Sequence, residues 1–271
     1  MQSMDVATNI PIALNDEGVP PKWVRRIPQL LRLGVATVLA GVAATARAGQ
    51  VAEIIRIHDE AIGGAARIAA LKAIRASGHV VAGGRKMQFS MLAVRPNQVR
   101  VETDEGARSL IQAYDGKNPP WQFDTGTWPP RYSKIPPSDA KVFAADAEFD
   151  DPLVGGAARG YTFDYAGTVK SDGKELIRLF VTQDLTDGFS LLLNPDTYLI
   201  VERVEDRKDV FGHTIHVLTL YGDYRPVDGV LLPHRVTVVV NGRATQQTVI
   251  DSIQGNPDIP ADSFTRPASK S

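Results

Sequence analysis

Cysteine is absent from this 271-residue chain. Its absence excludes disulfides, thiolate metal sites, a cysteine nucleophile and a lipid anchor on an N-terminal cysteine. An excess of charge is also missing, because 30 Lys and Arg residues balance 31 Asp and Glu residues. The sequence therefore offers no broadly basic surface for the phosphates of a nucleic acid, and we expect no nucleic-acid partner.

The common sequence signatures of enzymes are missing too. The chain has no Gly-x-Ser-x-Gly elbow, no His-Glu-x-x-His, no phosphate loop ending in Gly-Lys-Ser or Gly-Lys-Thr, and no Gly-x-Gly-x-x-Gly. His213 and His216 lie three positions apart, with His234 further on. Residues three apart on a strand point to opposite faces, so this spacing does not favour a shared ion. We predict no catalytic residues, no metal and no cofactor.

One acidic group could in principle serve acid and base chemistry. Glu148, Asp150 and Asp151 lie close together just before Pro152. Catalysis would require a converging partner that shifts a pKa, and the sequence identifies none. We interpret the group as the solvated end of a helix.

The N-terminal region has the form of an export signal. Basic residues precede an apolar run over 30–44, and small residues follow it. Arg32 interrupts the run, which is shorter than the roughly 20 residues that span a bilayer. We predict a signal peptide over 1–48 with cleavage after Ala48, and one domain over 49–271. The pair Arg25-Arg26 allows twin-arginine export, but Pro28 favours an ordinary Sec signal.

After this signal the hydrophobic pattern begins as a helix and then becomes mainly that of strands. Apolar residues over 50–62 have helical spacing and end at Gly63-Gly64, and a short helix over 66–71 follows. Beyond it the period is two, for example in the apolar set Met87, Phe89, Met91 and Ala93. A third helix is predicted from Ser138, as its cap, to Phe149.

These patterns predict a mainly β (α+β) protein with about 10–11 strands and two or three helices. Asp-Gly and Asn-Gly pairs separate the strands at hairpin intervals. Several strands are apolar on both faces, as over 236–240, so we expect a curved antiparallel sheet, an incomplete barrel, whose concave side the helices close. The proline-rich stretch over 119–137 is predicted as a loop across one mouth of the sheet.

Four short segments resemble the outer-membrane lipoprotein-sorting protein family, which has a LolA-like half-barrel. They are the stretch from Arg95-Pro96 to Arg100-Val101, Tyr114-Asp115-Gly116-Lys117 before Trp121, the run from Asp223-Tyr224 to Leu232-Pro233, and Asn256-Pro257-Asp258-Ile259-Pro260 before Phe264 and Pro267. Their order matches a divergent branch of that family over about 51–267. The long proline-rich stretch departs from the best-understood members.

The resemblance implies an open barrel with a helical lid over an apolar cavity for acyl chains. It also implies that Arg95 lies at the rim and hydrogen-bonds the lid. If Arg95 faces the cavity, strand alternation places Ala93, Met91, Phe89 and Met87 on the same side. The residues that we expect to line the cavity are Met87, Phe89, Met91, Val99, Val101, Ile111, Trp121 and Phe143. Permanent core packing of Met87, Phe89 and Met91 against Ile54, Ile55 and Phe143 is the equal alternative.

These expectations together describe a periplasmic, non-enzymatic carrier or chaperone. Its partners would be acyl chains of a lipoprotein or lipid, with an inner-membrane donor and an outer-membrane acceptor, and it would not span the membrane once the signal is removed. The alternative is a periplasmic sensor or interaction module that binds a partner protein or an unfolded lipoprotein.

Overall fold

The structure is a computed structural model that describes residues 36–183, 188–208 and 212–266, with the backbone alone for 36–47 and 138. The chain divides into two units after Gly41, and every strand lies in the second. The basic start of the predicted signal peptide lies outside the described residues. Within the described part, no helix combines the length and apolar character needed to cross a membrane.

One antiparallel sheet of 13 strands contains the whole described β structure. Its order along the sheet is β6-β5-β4-β3-β2-β1-β13-β12-β11-β10-β9-β8-β7, so β6 and β7 are free edges and the sheet stays open. The strands are β1 Ala73–Ala82, β2 Arg85–Val94, β3 Gln98–Glu105, β4 Arg108–Tyr114, β5 Trp121–Asp124, β6 Arg131–Lys134, β7 Tyr161–Ser171, β8 Lys174–Gln183, β9 Phe189–Leu193, β10 Ile200–Lys208, β11 Thr214–Val227, β12 Val230–Val240 and β13 Arg243–Gly255. The predicted open, mainly β half-barrel is confirmed.

Three helices accompany the sheet in the described residues: α1 Ala36–Ile62, α2 Ala65–Ala70 and α3 Pro137–Asp146. Val51 and Ile54 of α1 pack against buried residues of β8 and β9, such as Leu179 and Leu191. Phe143 of α3 packs with Val99 of β3. The strand residues in both clusters belong to one face of the sheet, its concave face, so helices cover its two halves separately.

The tight turns follow the chemistry of their residues. Asp172-Gly173 and Asn241-Gly242 have positive φ at both positions, 46° and 76° in the first turn and 48° and 78° in the second. That backbone matches the right-handed twist of a two-residue hairpin. The hairpins that these pairs predict, β7–β8 and β12–β13, are confirmed.

The sequence prediction missed three of the strands. The strand β1, interrupted by Ser77-Gly78, has no clear alternation, and β5 and β6 have only four residues each. The predicted proline-rich loop over 119–137 is wrong in this respect, because β5 and β6 form a hairpin at the sheet edge. The prolines lie outside those strands, where a missing N–H breaks no ladder bond.

Helix α3 differs from its prediction at both ends. It begins with Pro137 as its first residue, because a proline ring already has helical φ and its missing N–H leaves no bond unmade there. It ends at Asp146, three residues before the predicted Phe149. The backbone N–H of Phe149 instead donates to the carbonyl oxygen of Pro96 at 3.0 Å. This bond ties the end of the helix to the β2–β3 corner.

Candidate functional site

A row of side chains crosses the centre of the concave face. Met87 of β2 lies opposite Val80 of β1, Val80 opposite Thr248 of β13, Thr248 opposite Val236 of β12, and Val236 opposite Tyr221 of β11. All five are half-buried. At about 4.8 Å per strand spacing the row is roughly 19 Å long. We call this row the concave trough.

The concave face beside the trough is covered by α3. Phe89 is paired with Gly78, one step along the strands from Met87 and Val80. Met91 and Val101 follow, and both pack into the cluster that contains Phe143. The face therefore passes from half-buried apolar side chains in the trough to a helix-covered core within a few residues.

The structure divides the predicted cavity residues between the two faces. Cross-strand partners share a face, and Ala93 pairs with Val99, Met91 with Val101, and Val101 with Gln112. Ile111 is next to Gln112 and so points the other way, and Ala113, two positions on, pairs with Trp121. The concave group is Met87, Phe89, Met91, Val99, Val101 and Phe143. Ile111 and Trp121 lie on the convex face, so their placement in one cavity with the others is corrected.

Trp121 has a different environment. It is 6% exposed, and its indole Nε1 donates to the carbonyl oxygen of Phe264 at 3.0 Å. Arg100, also on the convex face, donates to the carbonyl oxygen of Ser263. Together they hold the C-terminal segment 256–266 against β3–β5. The tryptophan of the Asp-Gly-Lys segment therefore has a structural role here.

Arg95 lies where β2 ends, in contact with α2 and with the chain after α3. Its Nη2 donates to the carbonyl oxygen of Ile68 at 2.8 Å and lies 2.6 Å from Oδ1 of Asp150. Its guanidinium carbon lies 4.9 Å from the ring centroid of Phe149. Burial raises the pKa of Asp150 even though Arg95 favours its ionised form. One arginine thus joins the sheet to α2 and to the chain after α3.

His58 makes a second connection, from α1. The side chain is almost fully buried, with Nδ1 2.8 Å from the carbonyl oxygen of Tyr198 and Nε2 3.2 Å from Oδ2 of Asp151. Burial alone would lower the pKa of His58, but the hydrogen bond with Asp151 raises it. For Asp151 burial alone would raise the pKa, but the hydrogen bond and charge of His58, together with the N–H groups of Leu153 and Val154, lower it. The contact therefore favours the ionised form of both side chains.

The third connection uses Glu148, which forms an ion pair with Arg159 and accepts a hydrogen bond from Tyr161 at 2.9 Å. Burial, with this bond, raises the pKa of Tyr161 to about 12. The segment 147–154 thus carries three carboxylates with three separate partners, and we call it the latch segment. The prediction that its acidic residues are a solvated helix end is wrong. The cluster of acidic residues is visible in the sequence, but the partners of Asp150 and Asp151, Arg95 and His58, lie far away along the chain.

Two clefts and the grouping of polar side chains show what else the described residues could bind. A cleft of 160 Å³ lies among Arg75, Leu92 and Arg100 on the convex side, and one of 310 Å³ lies beside Arg207. Within the described part, no three His, Asp or Glu side chains are grouped closely enough to hold a metal ion. The arrangement can bury apolar ligand surface between helices and sheet, with ion pairs that hold the helical cover in place.

Comparison with known proteins finds no matching family model and no matching curated protein. Solved structures do match. A candidate outer membrane lipoprotein-sorting protein domain from Vibrio parahaemolyticus has 11% identity and a TM-score of 0.55, covering 79% of this chain and 97% of that one. A DUF1329 family protein from Desulfovibrio piger has 12% identity and a TM-score of 0.52, covering 79% and 96%. At such identities the likeness concerns the fold. This chain therefore has the half-barrel fold of the outer membrane lipoprotein-sorting proteins that its sequence segments resemble.

Proposed function

We propose that this chain is an exported, non-enzymatic carrier of the periplasm that binds acyl chains of lipoproteins or lipids on its concave face. The observation that carries the proposal is the concave trough. Its apolar members Met87, Val80 and Val236 lie outside the three core clusters formed by the described residues. Half-buried apolar surface on a concave face between helices is the usual setting of a site for an apolar ligand.

The energetics suit reversible binding. Burial of about 0.8 kcal/mol per methylene would give a chain of about 16 carbons on the order of 10 kcal/mol. Entry past α3 requires part of its packing to be given up, which lowers this figure and permits release. Met87 and Met91 have flexible thioether side chains that adapt to chains of different shape.

Export is supported by the position of the predicted cleavage point. Residues Ala48, Gly49 and Gln50 are exposed, and the space around Gly49 is open. The first residue of α1 in the main core is Val51. Cleavage after Ala48 would therefore leave the core contacts of α1 intact. The mature chain would then be released into the periplasm.

The test is native mass spectrometry followed by lipid extraction. The full chain is produced in a Gram-negative host and purified from the periplasmic fraction without detergent. We expect co-purifying lipid or lipoprotein and an N-terminus at Gly49. Phe89→Glu, on the concave face, should abolish lipid binding, whereas the matched control Gln88→Glu, exposed on the opposite face of the same strand, should not.

Two outcomes would contradict the carrier. One is unchanged lipid content in the folded Phe89→Glu variant. The other is a ligand-free mass that also ignores added acyl compounds, which would favour the alternative of a module that binds a partner protein or an unfolded lipoprotein.

A further inference from the structure

Three charged side chains occupy the concave face of β10. Arg203, Glu205 and Arg207 alternate along the strand, so they point to the same face. Their direct cross-strand neighbours are mainly apolar: Leu191, Thr219, Phe189, Val217 and Ile215. Charges placed among apolar residues carry a desolvation cost, which natural proteins accept where the charge is used or fully paired.

The pairing within this group is incomplete. Glu205 accepts from Nη2 of Arg203 at 3.1 Å and from Nε of Arg207 at 2.9 Å. The guanidinium of Arg203 lies over Phe189, 4.2 Å from the ring centroid, and its Nε is buried with no acceptor among the described residues. Each guanidinium has five N–H bonds to donate. Among the described residues, one carboxylate between two arginines occupies only some of these donors.

A second carboxylate, that of Asp146 at the end of α3, approaches from the lid. Its Oδ1 lies 3.8 Å from Nη2 of Arg207, which is longer than a hydrogen bond. Half of the Asp146 side chain is exposed. Burial of the carboxylate by the surrounding protein still raises the pKa of Asp146, although the charges of Arg207 and Arg203 act to lower it. Asp146 is therefore a loosely held counter-ion.

Arg203 lies beside one end of the concave trough, and Arg207 follows it four positions along β10. Arg203 is directly opposite Thr219 on β11, and Tyr221, the last residue of the trough, is two positions further along that strand. Arg207 is opposite Ile215, further from the trough, and the 310 Å³ cleft beside it lies at that far end of β10. The two guanidinium groups nevertheless converge, because both contact the carboxylate of Glu205. A ligand with an apolar chain in the trough would therefore present its polar end to the two guanidinium groups.

We propose that Arg203 and Arg207 form a head-group subsite that binds the phosphate or carboxylate of an acylated ligand, and that this anion takes the place of Asp146. The proposal rests on the proposed carrier function and specifies its ligand class. Phosphate and carboxylate oxygens accept paired N–H bonds from guanidinium groups at shorter distance than Asp146 achieves. Displacement of Asp146 frees the last turn of α3, so ligand binding and lid opening become one event.

The charges also predict selectivity. Without Asp146 the subsite contains two cations and one anion, Glu205, and it therefore favours a simple anion over a zwitterion. The probes are lysophosphatidic acid, lysophosphatidylcholine and monoacylglycerol with the same acyl chain, each titrated calorimetrically below its micelle concentration into the full chain. Inorganic phosphate tests a free anion as the source of the same chemistry. We expect lysophosphatidic acid to bind about tenfold more tightly than the other two lipids.

Variants separate the head-group subsite from the trough. Arg207→Gln should lower the affinity for lysophosphatidic acid about tenfold and leave monoacylglycerol binding unchanged. The control Arg178→Gln, exposed on the opposite face of the sheet, should change neither. Asp146→Asn removes the competing anion and should strengthen lysophosphatidic acid binding several-fold. This variant lies at the exposed end of α3, so it still tests the subsite if Arg207→Gln does not fold.

The outcomes are distinguishable. Equal binding of the three lipids, with no effect of Asp146→Asn, would overturn the subsite while the carrier stands. Binding of inorganic phosphate that depends on Arg207, with no binding of any acyl compound, would support the anion site with free phosphate as its ligand and overturn the carrier. Binding of none of the four probes would overturn both.

Discussion

His58 of α1 and Asp151 of the latch segment form an ion pair in which the imidazole faces acceptors on both sides. Nδ1 lies 2.8 Å from the carbonyl oxygen of Tyr198, and Nε2 lies 3.2 Å from the carboxylate of Asp151. Since neither neighbour can donate, both ring nitrogens bind best with a proton, which is the imidazolium form. This geometry agrees with the raised pKa of His58 and predicts that the latch segment is sensitive to pH.

The first prediction concerns this pH dependence. His58 has a pKa above its ordinary 6.5, so its contribution to stability is complete below that value and is lost as pH rises through the folded pKa. The contribution of Asp151 to stability is present above its ordinary pKa of 3.8 and is lost as pH falls through its lowered folded pKa. We expect His58→Gln to lower the free energy of unfolding by about 3 kcal/mol at about pH 5.5 and by much less at about pH 9.

Urea unfolding at the two pH values measures this effect. His216→Gln is the matched control, because its pairing with Asp206 is largely exposed, with 73% and 60% of the two side chains accessible. That variant should lose less than about 0.5 kcal/mol. An equal loss in His58→Gln at both pH values would contradict an ionised His58.

The second prediction concerns the link between Arg95 and Asp150, whose side chains are 21% and 19% exposed. Arg95→Ala leaves a largely buried carboxylate unpaired and should cost about 3 kcal/mol. The double variant with Asp150→Asn should cost less than the sum of the two single changes. Chemical unfolding of all four proteins gives the coupling energy.

Hydrogen exchange in α2 adds a local measurement, because Arg95 donates to the carbonyl oxygen of Ile68 there. Arg95→Ala should speed exchange in Ala65–Ala70. The control Arg85→Ala removes an exposed pair with Glu105 and should cost less than about 0.5 kcal/mol. Strict additivity of the Arg95 and Asp150 changes would show that the two side chains act separately.

The third prediction separates two tryptophans. Trp121 is 6% exposed, whereas Trp128 is 94% exposed. Trp121→Ala should destabilise the protein by about 3 to 5 kcal/mol through the cavity and the lost bond to Phe264. Trp128→Ala should have almost no effect on stability. Thermal unfolding compares them, and a stable Trp121→Ala variant that loses acyl binding would restore Trp121 to the ligand site.

The fourth prediction concerns Gly78, at the irregular register between β1 and β13. A Cβ atom there would lie 2.1 Å from the carbonyl oxygen of Val249 and 2.9 Å from Cα of Ile250, both backbone atoms that can move only with the sheet. Gly78→Ala should therefore cost about 2 to 3 kcal/mol. Gly222→Ala in β11 is the control, since the space around its Cβ is open. Equal stability of the two variants would contradict this account.

The fold class was predictable because local patterns point to it along most of the chain. The period-two runs mark ten of the thirteen strands, and glycine after Asp or Asn marks their hairpins. β1 was missed because Ser77-Gly78 interrupts its pattern, and β5 and β6 because four residues hold too little pattern to recognise. Short edge strands are defined by their neighbours rather than by their own sequence.

The candidate site was predictable only in part. Met87, Phe89 and Met91 share a face because alternation within one strand guarantees it. The run Leu110-Ile111-Gln112-Ala113 is apolar at both alternating positions, so its register alone decides that Ile111 points to the convex face. The latch segment was misread because partners such as His58 and Arg95 are distant in the chain.

By itself, then, the sequence determined the export signal prediction, the sheet-rich architecture and the apolar face of β2, because each depends on spacing between near neighbours. Only the tertiary structure decided which face each strand presents, which partners the latch carboxylates take, and that Arg203 lies beside the end of the concave trough. Those relations arise from strand pairing between distant segments, and side-chain charge exerts its effect through distances that the linear order does not specify.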